Sequence, residues 1–232
     1  MRGELERALE RHGQPAELAA RFERLLGALA AEPDPHTTVF EPGEAARVHV
    51  ADSLAGLAVP ELREARSIAD VGAGAGFPGL ALAVALPHAR ADLIEAAGRK
   101  AAVIERLAAA AEADNARAVR ARVEEWGAGE GREAYDAVTA RAVGPLAVLA
   151  EYAAPLLSDG GVLVAWKGSR DAAEEGAGAV AGAQLGLEPR DVLPVEPYPG
   201  SRNRHLHVYR KVGPTPPGFP RRAGMAAKRP LA

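Results

Sequence analysis

One stretch constrains this chain more than any other: Asp70-Val71-Gly72-Ala73-Gly74-Ala75-Gly76-Phe77-Pro78-Gly79. It continues Ser67-Ile68-Ala69-Asp70-Val71, an apolar run that predicts a short buried strand, and it leads into a helical stretch over residues 78–86. Glycines at a strand-to-helix turn tolerate positive φ and let a ligand come close to the backbone. The helix start behind them offers unpaired N–H groups. Gly74, Gly76 and Gly79 also satisfy the G-x-G-x-x-G spacing of dinucleotide-binding folds. The turn therefore marks a nucleotide-like ligand without choosing among them.

The rest of the chain supplies a context. Strands are predicted over residues 91–95, 117–123, 136–140 and 161–166, with helices over 98–113 and 145–157. Strands alternating with helices imply a parallel sheet covered on both faces, an α/β, Rossmann-like fold. Near the end the alternation stops. Residues 192–195 and 206–211 both read as strands without a helix between them, which suggests an antiparallel pair at the sheet edge. Before the glycine turn, Leu18, Phe22, Leu25 and Leu29 share one face of a helix over 15–30, and a second helix is expected from Glu44 to about Leu57. Three parts result: an N-terminal helical extension (1–60), the α/β domain (61–212), and a basic, proline-rich tail (213–232) expected to be disordered.

Composition removes several chemistries. The 232 residues include no cysteine, so disulfides, thiolate metal sites and cysteine nucleophiles are excluded. His205 and His207 alternate on a predicted strand, but no third ligand is evident and no metal is expected. There is no G-x-S-x-G elbow of a hydrolase. No apolar run approaches a membrane span, and the charged N-terminus lacks a signal-peptide core; a cytoplasmic location is expected. Charge is unevenly spread. Glu196 is the last acidic residue, and eight Lys or Arg follow it, whereas the first 196 residues hold 20 basic and 31 acidic side chains. An acidic body with a basic end suggests a polyanionic partner.

Three details favour S-adenosylmethionine over a dinucleotide at the glycine turn. Asp70 lies two residues before the first glycine, where a carboxylate suits a cationic amino group or sulfonium better than a pyrophosphate. Phe77-Pro78 provides an apolar contact at the helix start. The antiparallel ending resembles methyltransferases that use this cofactor. Glu95 closes the second strand and is placed to accept hydrogen bonds from ribose hydroxyls, a feature both cofactor classes share. A small-molecule methyltransferase and a nucleotide-dependent oxidoreductase remain alternatives at this point.

The chain also resembles the RsmG (GidB) family of bacterial methyltransferases, which act on guanine N7 of 16S ribosomal RNA. The resemblance runs from about residue 15 to 211. It is carried by His49-Val50-Ala51-Asp52-Ser53-Leu54, the glycine stretch from Ile68 to Gly79, Arg122-Val123-Glu124-Glu125-Trp126, Thr139-Ala140-Arg141-Ala142 and Trp166-Lys167-Gly168. It implies S-adenosylmethionine as cofactor, with Gly72 and Phe77 as contacts in the loop. Glu95, Ala96 and Ala97 then lie at the ribose and adenine edge, Val123 and Glu124 at the adenine, and Arg141 near the cofactor and the substrate entrance. It implies a monomer and a 16S rRNA or small-subunit substrate. Where the family often has arginine before the equivalent of His49, this chain has Val48, with Arg47 one place earlier.

From the residues themselves, Asp70, Gly72, Gly74, Gly76, Phe77 and Glu95 are the cofactor candidates. His49, Asp52 and Arg141 are positioning candidates, with an ion pair from Arg141 to Asp136 or Glu124 as the purely structural reading of that arginine. Arg202, Arg204, His205, Lys211, Arg221, Arg222, Lys228 and Arg229 are the RNA-binding candidates. Phe40, Trp166 and Tyr209 are candidate stacking partners for a base, although core packing suits each of them. Guanine N7 carries a free lone pair and no proton, so methyl transfer to it requires alignment and no general base.

Overall fold

A computed structural model describes residues 1–232. A seven-stranded sheet is formed by β1 (Ser67–Val71), β2 (Arg90–Ile94), β3 (Ala116–Val119), β4 (Tyr135–Arg141), β5 (Leu157–Lys167), β6 (Leu187–Pro194) and β7 (His205–Lys211). Their order is β3-β2-β1-β4-β5-β7-β6. Strands β1 to β5 pair in parallel, and β7 runs antiparallel to both β5 and β6. The central strands read as continuous apolar runs because both faces are covered: all but the first residue of β1 is buried, and Val162 to Trp166 of β5 are all buried.

The helices are α1 (Arg2–Arg11), α2 (Ala19–Ala31), α3 (Pro42–Ala45), α4 (Asp52–Leu54), α5 (Pro60–Glu64), α6 (Gly79–Ala85), α7 (Gly98–Ala110), α8 (Val123–Ala128), α9 (Leu146–Ala153), α10 (Ala172–Gln184) and α11 (Met225–Lys228). One face of the sheet packs a core that includes α1, α2, α6 and α7 through Leu9, Phe22, Leu25, Leu80 and Ile104. The other packs α9 and α10 through Leu146, Leu149, Ala150 and Ala181. No helix is long and apolar enough to cross a membrane.

Three helices fall outside the sequence-based expectations. In α1 only Leu5, Ala8 and Leu9 are buried, a short apolar face among charged residues. α8 begins at Val123, the last residue expected in the third strand, which itself ends at Val119, and its first turn carries Glu124 and Glu125, as a helix N-terminus favours. α10 is rich in alanine and glycine and has little amphipathic signal, but its glycines have a purpose. A Cβ on Gly178 would lie 2.4 Å from the Tyr209 hydroxyl, so only glycine lets the helix approach β7 this closely. The pattern Asp171-x-x-Glu174 marks its start, where Asp171 accepts from the N–H groups of Ala173 (2.8 Å) and Glu174 (3.2 Å).

The tail expectation is corrected. Residues 213–232 pack across the face that carries α9 instead of hanging free. Ala226 is fully buried, and Phe219 and Leu231 rest against the second core. Arg132 Nη1 donates to the Phe219 carbonyl (3.2 Å), and Gly224 N–H donates to Glu124 Oε1 (2.6 Å). Proline-rich composition gave no apolar periodicity to read, yet single apolar side chains and the ion pair from Arg221 to the buried Glu151 dock the segment.

Candidate functional site

The crevice opens at the C-terminal ends of β1, β2 and β4, where parallel α/β sheets bind ligands. A cleft of about 470 Å³ is lined by Thr37 to Val39, Val48, His49, Asp52, the glycine loop from Gly72 to Ala75, Phe77, Lys100, Arg141, Ala142 and Arg204. A smaller recess of about 180 Å³ meets it at Gly72 and is lined by Glu95, Ala96, Val123, Glu124, Val143 and Tyr152.

Gly72, with φ +65°, is the hinge between the two spaces, and a Cβ there would meet Val143 Cγ2 at 2.8 Å. Gly74 (φ +57°) faces the cleft, whereas Gly76 is buried, with its vacant Cβ position against Leu80. Glu95 holds the rim together: Oε2 accepts from Gly74 N–H (3.1 Å) and Oε1 from Ala97 N–H (2.8 Å). Each of its oxygens keeps a lone pair for a hydroxyl.

Asp70 does not face the cleft as the sequence suggested. It is buried beneath the loop, where Oδ1 accepts from Thr139 Oγ1 (2.8 Å) and Oδ2 from Gly79 N–H (2.9 Å). Burial pushes its carboxyl up to about 6, against the pull of those two hydrogen bonds and of Arg141. Its role is to tie β1, β4 and the start of α6 into one frame. A Gly79→Ala substitution would place a Cβ 2.7 Å from Asp70 Oδ2 and 2.8 Å from Leu93 Cδ2. We expect it to cost about 1–3 kcal/mol by overpacking and to weaken ligand binding at the loop. Thermal unfolding together with S-adenosylhomocysteine calorimetry reads both effects.

The opposite wall comes from an irregular helical run. Between α3 and α4, residues Ala46–Ala51 form a π-helical turn, a feature that recurs at functional sites. It presents Val48 and His49, and the start of α4 presents Asp52, to Arg141 at the end of β4. Arg141 Nη1 donates to Asp52 Oδ2 (2.8 Å) and to the Val48 carbonyl (3.1 Å). Arg141 Nη2 lies 3.1 Å from His49 Nδ1, and His49 Nε2 lies 2.8 Å from the Val39 carbonyl. A guanidinium can only donate and a carbonyl only accept, so Nδ1 is the bare nitrogen and Nε2 carries the proton. Burial, reinforced by the Arg141 charge, lowers this imidazole to about 4, and it stays neutral near pH 7. Its ring stacks on Phe77 with centroids 4.7 Å apart and planes 12° from parallel. The Trp166 indole N–H donates to the Asp52 carbonyl (2.8 Å) and fixes the same turn from β5. Arg141 thus pairs with Asp52 and with neither Asp136 nor Glu124.

The other candidates divide. Arg204 lines the cleft, with Nε 3.9 Å from Asp52 Oδ1. Arg202 is exposed, and so are Arg222, Lys228 and Arg229. His205 Nδ1–H donates to the Gly168 carbonyl (2.7 Å). Lys211 is not a surface contact. It is buried, bonded to the Ala154 carbonyl (2.7 Å) and to Thr215 Oγ1, and burial lowers its ammonium to about 8. Arg221 is committed to the buried carboxylate of Glu151. Trp166 and Tyr209 are buried, whereas Phe40 is half exposed next to the loop that supplies Thr37 to Val39. Sequence reasoning missed Val39 and Lys100, which carry no motif of their own, and gave Thr139 no role although it opens the Thr139-Ala140-Arg141-Ala142 stretch.

The sequence profile of the GidB family, described as rRNA small subunit methyltransferase G, matches residues 36–193. The chain belongs to this family. That stretch contains the π-helical turn, the glycine loop, Glu95, Glu124 and Arg141. The chain is similar to the ribosomal RNA small subunit methyltransferase G of Roseiflexus castenholzii, with 44% identity over 70% of this chain and 69% of that protein. It is similar to the protein of the same name from Chloroflexus aggregans at 40% identity over 91% and 90%. Among solved structures, the fibrillarin of Aeropyrum pernix with natively bound S-adenosyl-L-methionine shares the fold, with a TM-score of 0.53 and 18% identity, covering 68% of this chain and 72% of that one. Family membership makes this chain a methyltransferase that uses S-adenosylmethionine and methylates rRNA, and it sets aside the oxidoreductase reading of the glycine spacing.

Proposed function

We propose that this chain methylates N7 of a guanine in 16S ribosomal RNA, and that the joined cleft and recess hold both cofactor and base. The single observation that carries the finer reading is the state of His49. Both of its ring nitrogens are engaged, one by Arg141 and one by the Val39 carbonyl, so the imidazole in the cleft is built to hold a position and not to take a proton. A nucleophile that needs no deprotonation fits this wall, and guanine N7 is such a nucleophile.

The residues present suit the cofactor. The recess beside Gly72, with Val123, Glu124 and Ala96 among its walls, is lined mostly by apolar residues and suits an adenine. Glu95 retains acceptor capacity for ribose hydroxyls. A Cβ at Gly72 would need Val143 to move, so the close approach there depends on glycine. When bound, S-adenosylmethionine supplies a methyl group on a cationic sulfur. The chain's own contribution is orientation: Phe77, backed by His49, fixes the floor, and the Arg141–Asp52 pair fixes the wall facing the incoming base. The base must be unstacked to enter, which favours an exposed or single-stranded segment.

The test is transfer of radiolabelled methyl from S-adenosylmethionine to small subunits and to free 16S RNA, both taken from cells lacking the enzyme. Chemical cleavage at 7-methylguanosine locates the product. Label at one guanine is the expected result. Label on another atom or another RNA would overturn the reading while leaving the family assignment intact.

A further inference from the structure

A groove of about 330 Å³ lies beside the cleft and takes no part in the site described above. Its walls are Arg7, Ala8 and Arg11 of α1 on one side and Pro197, Tyr198 and Pro199 of the β6–β7 loop on the other. Arg47 and Ala51, from the π-helical turn, also line it. We infer that this groove is a second RNA-contacting subsite, which receives a single-stranded nucleotide flanking the methylated base. The inference rests on the RNA substrate proposed above.

Position is the first argument. The π-helical turn has Arg47 and Ala51 in the groove, and Val48 and His49 in the cleft beside Asp52 of α4. The β6–β7 loop is shared in the same way, with Tyr198 lining the groove and Arg204 lining the cleft. The same helical turn and loop therefore border both spaces, and a strand that delivers a base to the cleft reaches the groove by crossing them.

The loop is braced. Val195 N–H donates to the Arg204 carbonyl (2.9 Å), Ser201 Oγ donates to the Tyr198 carbonyl (2.7 Å), and Gly200 N–H donates to Glu196 Oε1 (3.2 Å). Pro197 is buried. Tyr198 is thereby held as a platform between two prolines, which suits stacking of a base.

Charge is the second argument. Arg7, Arg11 and Arg47 line the groove, with Glu4 and Glu10 opposing them. Glu4 Oε1 stands 2.9 Å from Arg7 Nη2 and 3.5 Å from Arg47 Nη1, so it aligns two guanidinium groups while leaving them donors to spare. Arg11 gives one long bond to the Glu196 carbonyl (3.4 Å). Three arginines around an aromatic ring match phosphates with a base between them better than they match an acidic peptide, which has nothing to stack.

Three variants test this: Tyr198→Ala, Tyr198→Phe and the double change Arg7→Gln with Arg11→Gln. Methyl transfer to unmodified small subunits is measured across a salt series, together with equilibrium binding to protein-free 16S RNA and to S-adenosylhomocysteine. Tyr198→Ala is expected to raise KM for RNA about 10-fold with kcat and S-adenosylhomocysteine affinity unchanged, and Tyr198→Phe to restore it. The double variant is expected to flatten the slope of log affinity against log salt by about 1.4, at about 0.7 per single-strand phosphate contact. Unchanged KM and salt slope in variants of an active enzyme would overturn the inference alone. An effect on assembled subunits that vanishes on protein-free RNA would also overturn it, by making the groove a contact for ribosomal protein. A wild-type enzyme that methylates no RNA would sink the reading beneath it as well.

Discussion

Replacing Arg141 by leucine is expected to lower kcat/KM for methyl transfer at least about 100-fold, the scale of losing placement at a reacting centre. The guanidinium joins β4 to the π-helical turn and the start of α4 by three contacts at once: Asp52 Oδ2, the Val48 carbonyl and His49 Nδ1. Without it, the Asp52 carboxylate keeps only the distant Arg204 at 3.9 Å, and His49 loses the donor that orients its ring on Phe77. Lysine should not rescue, because one ammonium cannot present the planar fork. Titration of His49 by NMR separates this positioning role from general destabilisation. Burial is the larger cause of its low value, so the imidazole should rise from about 4 in the variant without returning fully to 6.5. The sign for stability follows from which state binds the proton. Between pH 6.5 and 4 the unfolded chain protonates His49 and the folded chain does not, so this contribution is lost as pH falls through that window. Asp70 opposes it. Its folded value of about 6 exceeds the unfolded 3.8, so the folded chain binds the proton first and gains stability as pH falls through the same range. The wild-type profile should therefore be flatter than either group alone would make it, and Arg141→Leu should weaken the His49 arm.

How much of this was written in the sequence depends on whether a residue acts through a local pattern or through a distant partner. The strand–glycine–helix turn at 67–86 is local, and its fold follows from apolar runs and positive-φ glycines. The place of Glu95 at the crevice was legible because it directly follows β2 in a fold of this class. Asp70 was misplaced because its partners, Thr139 and Gly79, are 69 and 9 residues away, and no pattern announces that they will cover it. The Arg141–Asp52 pair spans 89 residues, and a one-dimensional reading offered two nearer carboxylates instead. The charge asymmetry was real in the sequence, but charge does not reveal pairing. Lys211 and Arg221 spend theirs inside the molecule, whereas Arg202 and Arg204 sit on a braced loop at the cleft.

The C-terminal segment gives the sharpest case, because its composition predicts disorder and its contacts predict a large cost on removal. Arg221→Ala is expected to destabilise the fold by about 3 kcal/mol, the lower end of the cost of stranding a buried charge, because Glu151 is buried and Arg221 only partly so. Glu151 on α9 is 1% exposed, and Arg221 approaches it with two donors, Nε on Oε1 at 2.7 Å and Nη2 on Oε2. Arg221 Nη2 also donates to the Arg229 carbonyl (2.9 Å), so the same side chain closes the last turn of the segment on itself. For a chain of this size the loss corresponds to a fall in melting temperature of about 10 °C. Adding Glu151→Gln should recover part of it, since an amide strands no charge, and a solvated tail would show no such coupling between the two sites. The effect should reach the recess proposed for the cofactor. Gly224 N–H holds Glu124 Oε1 at 2.6 Å, and Glu124 lines the slot beside Gly72. Loosening the segment releases that wall, so S-adenosylhomocysteine should bind Arg221→Ala more weakly at a temperature where the protein is still folded. Unchanged affinity would mean that the segment stabilises α9 and stops there.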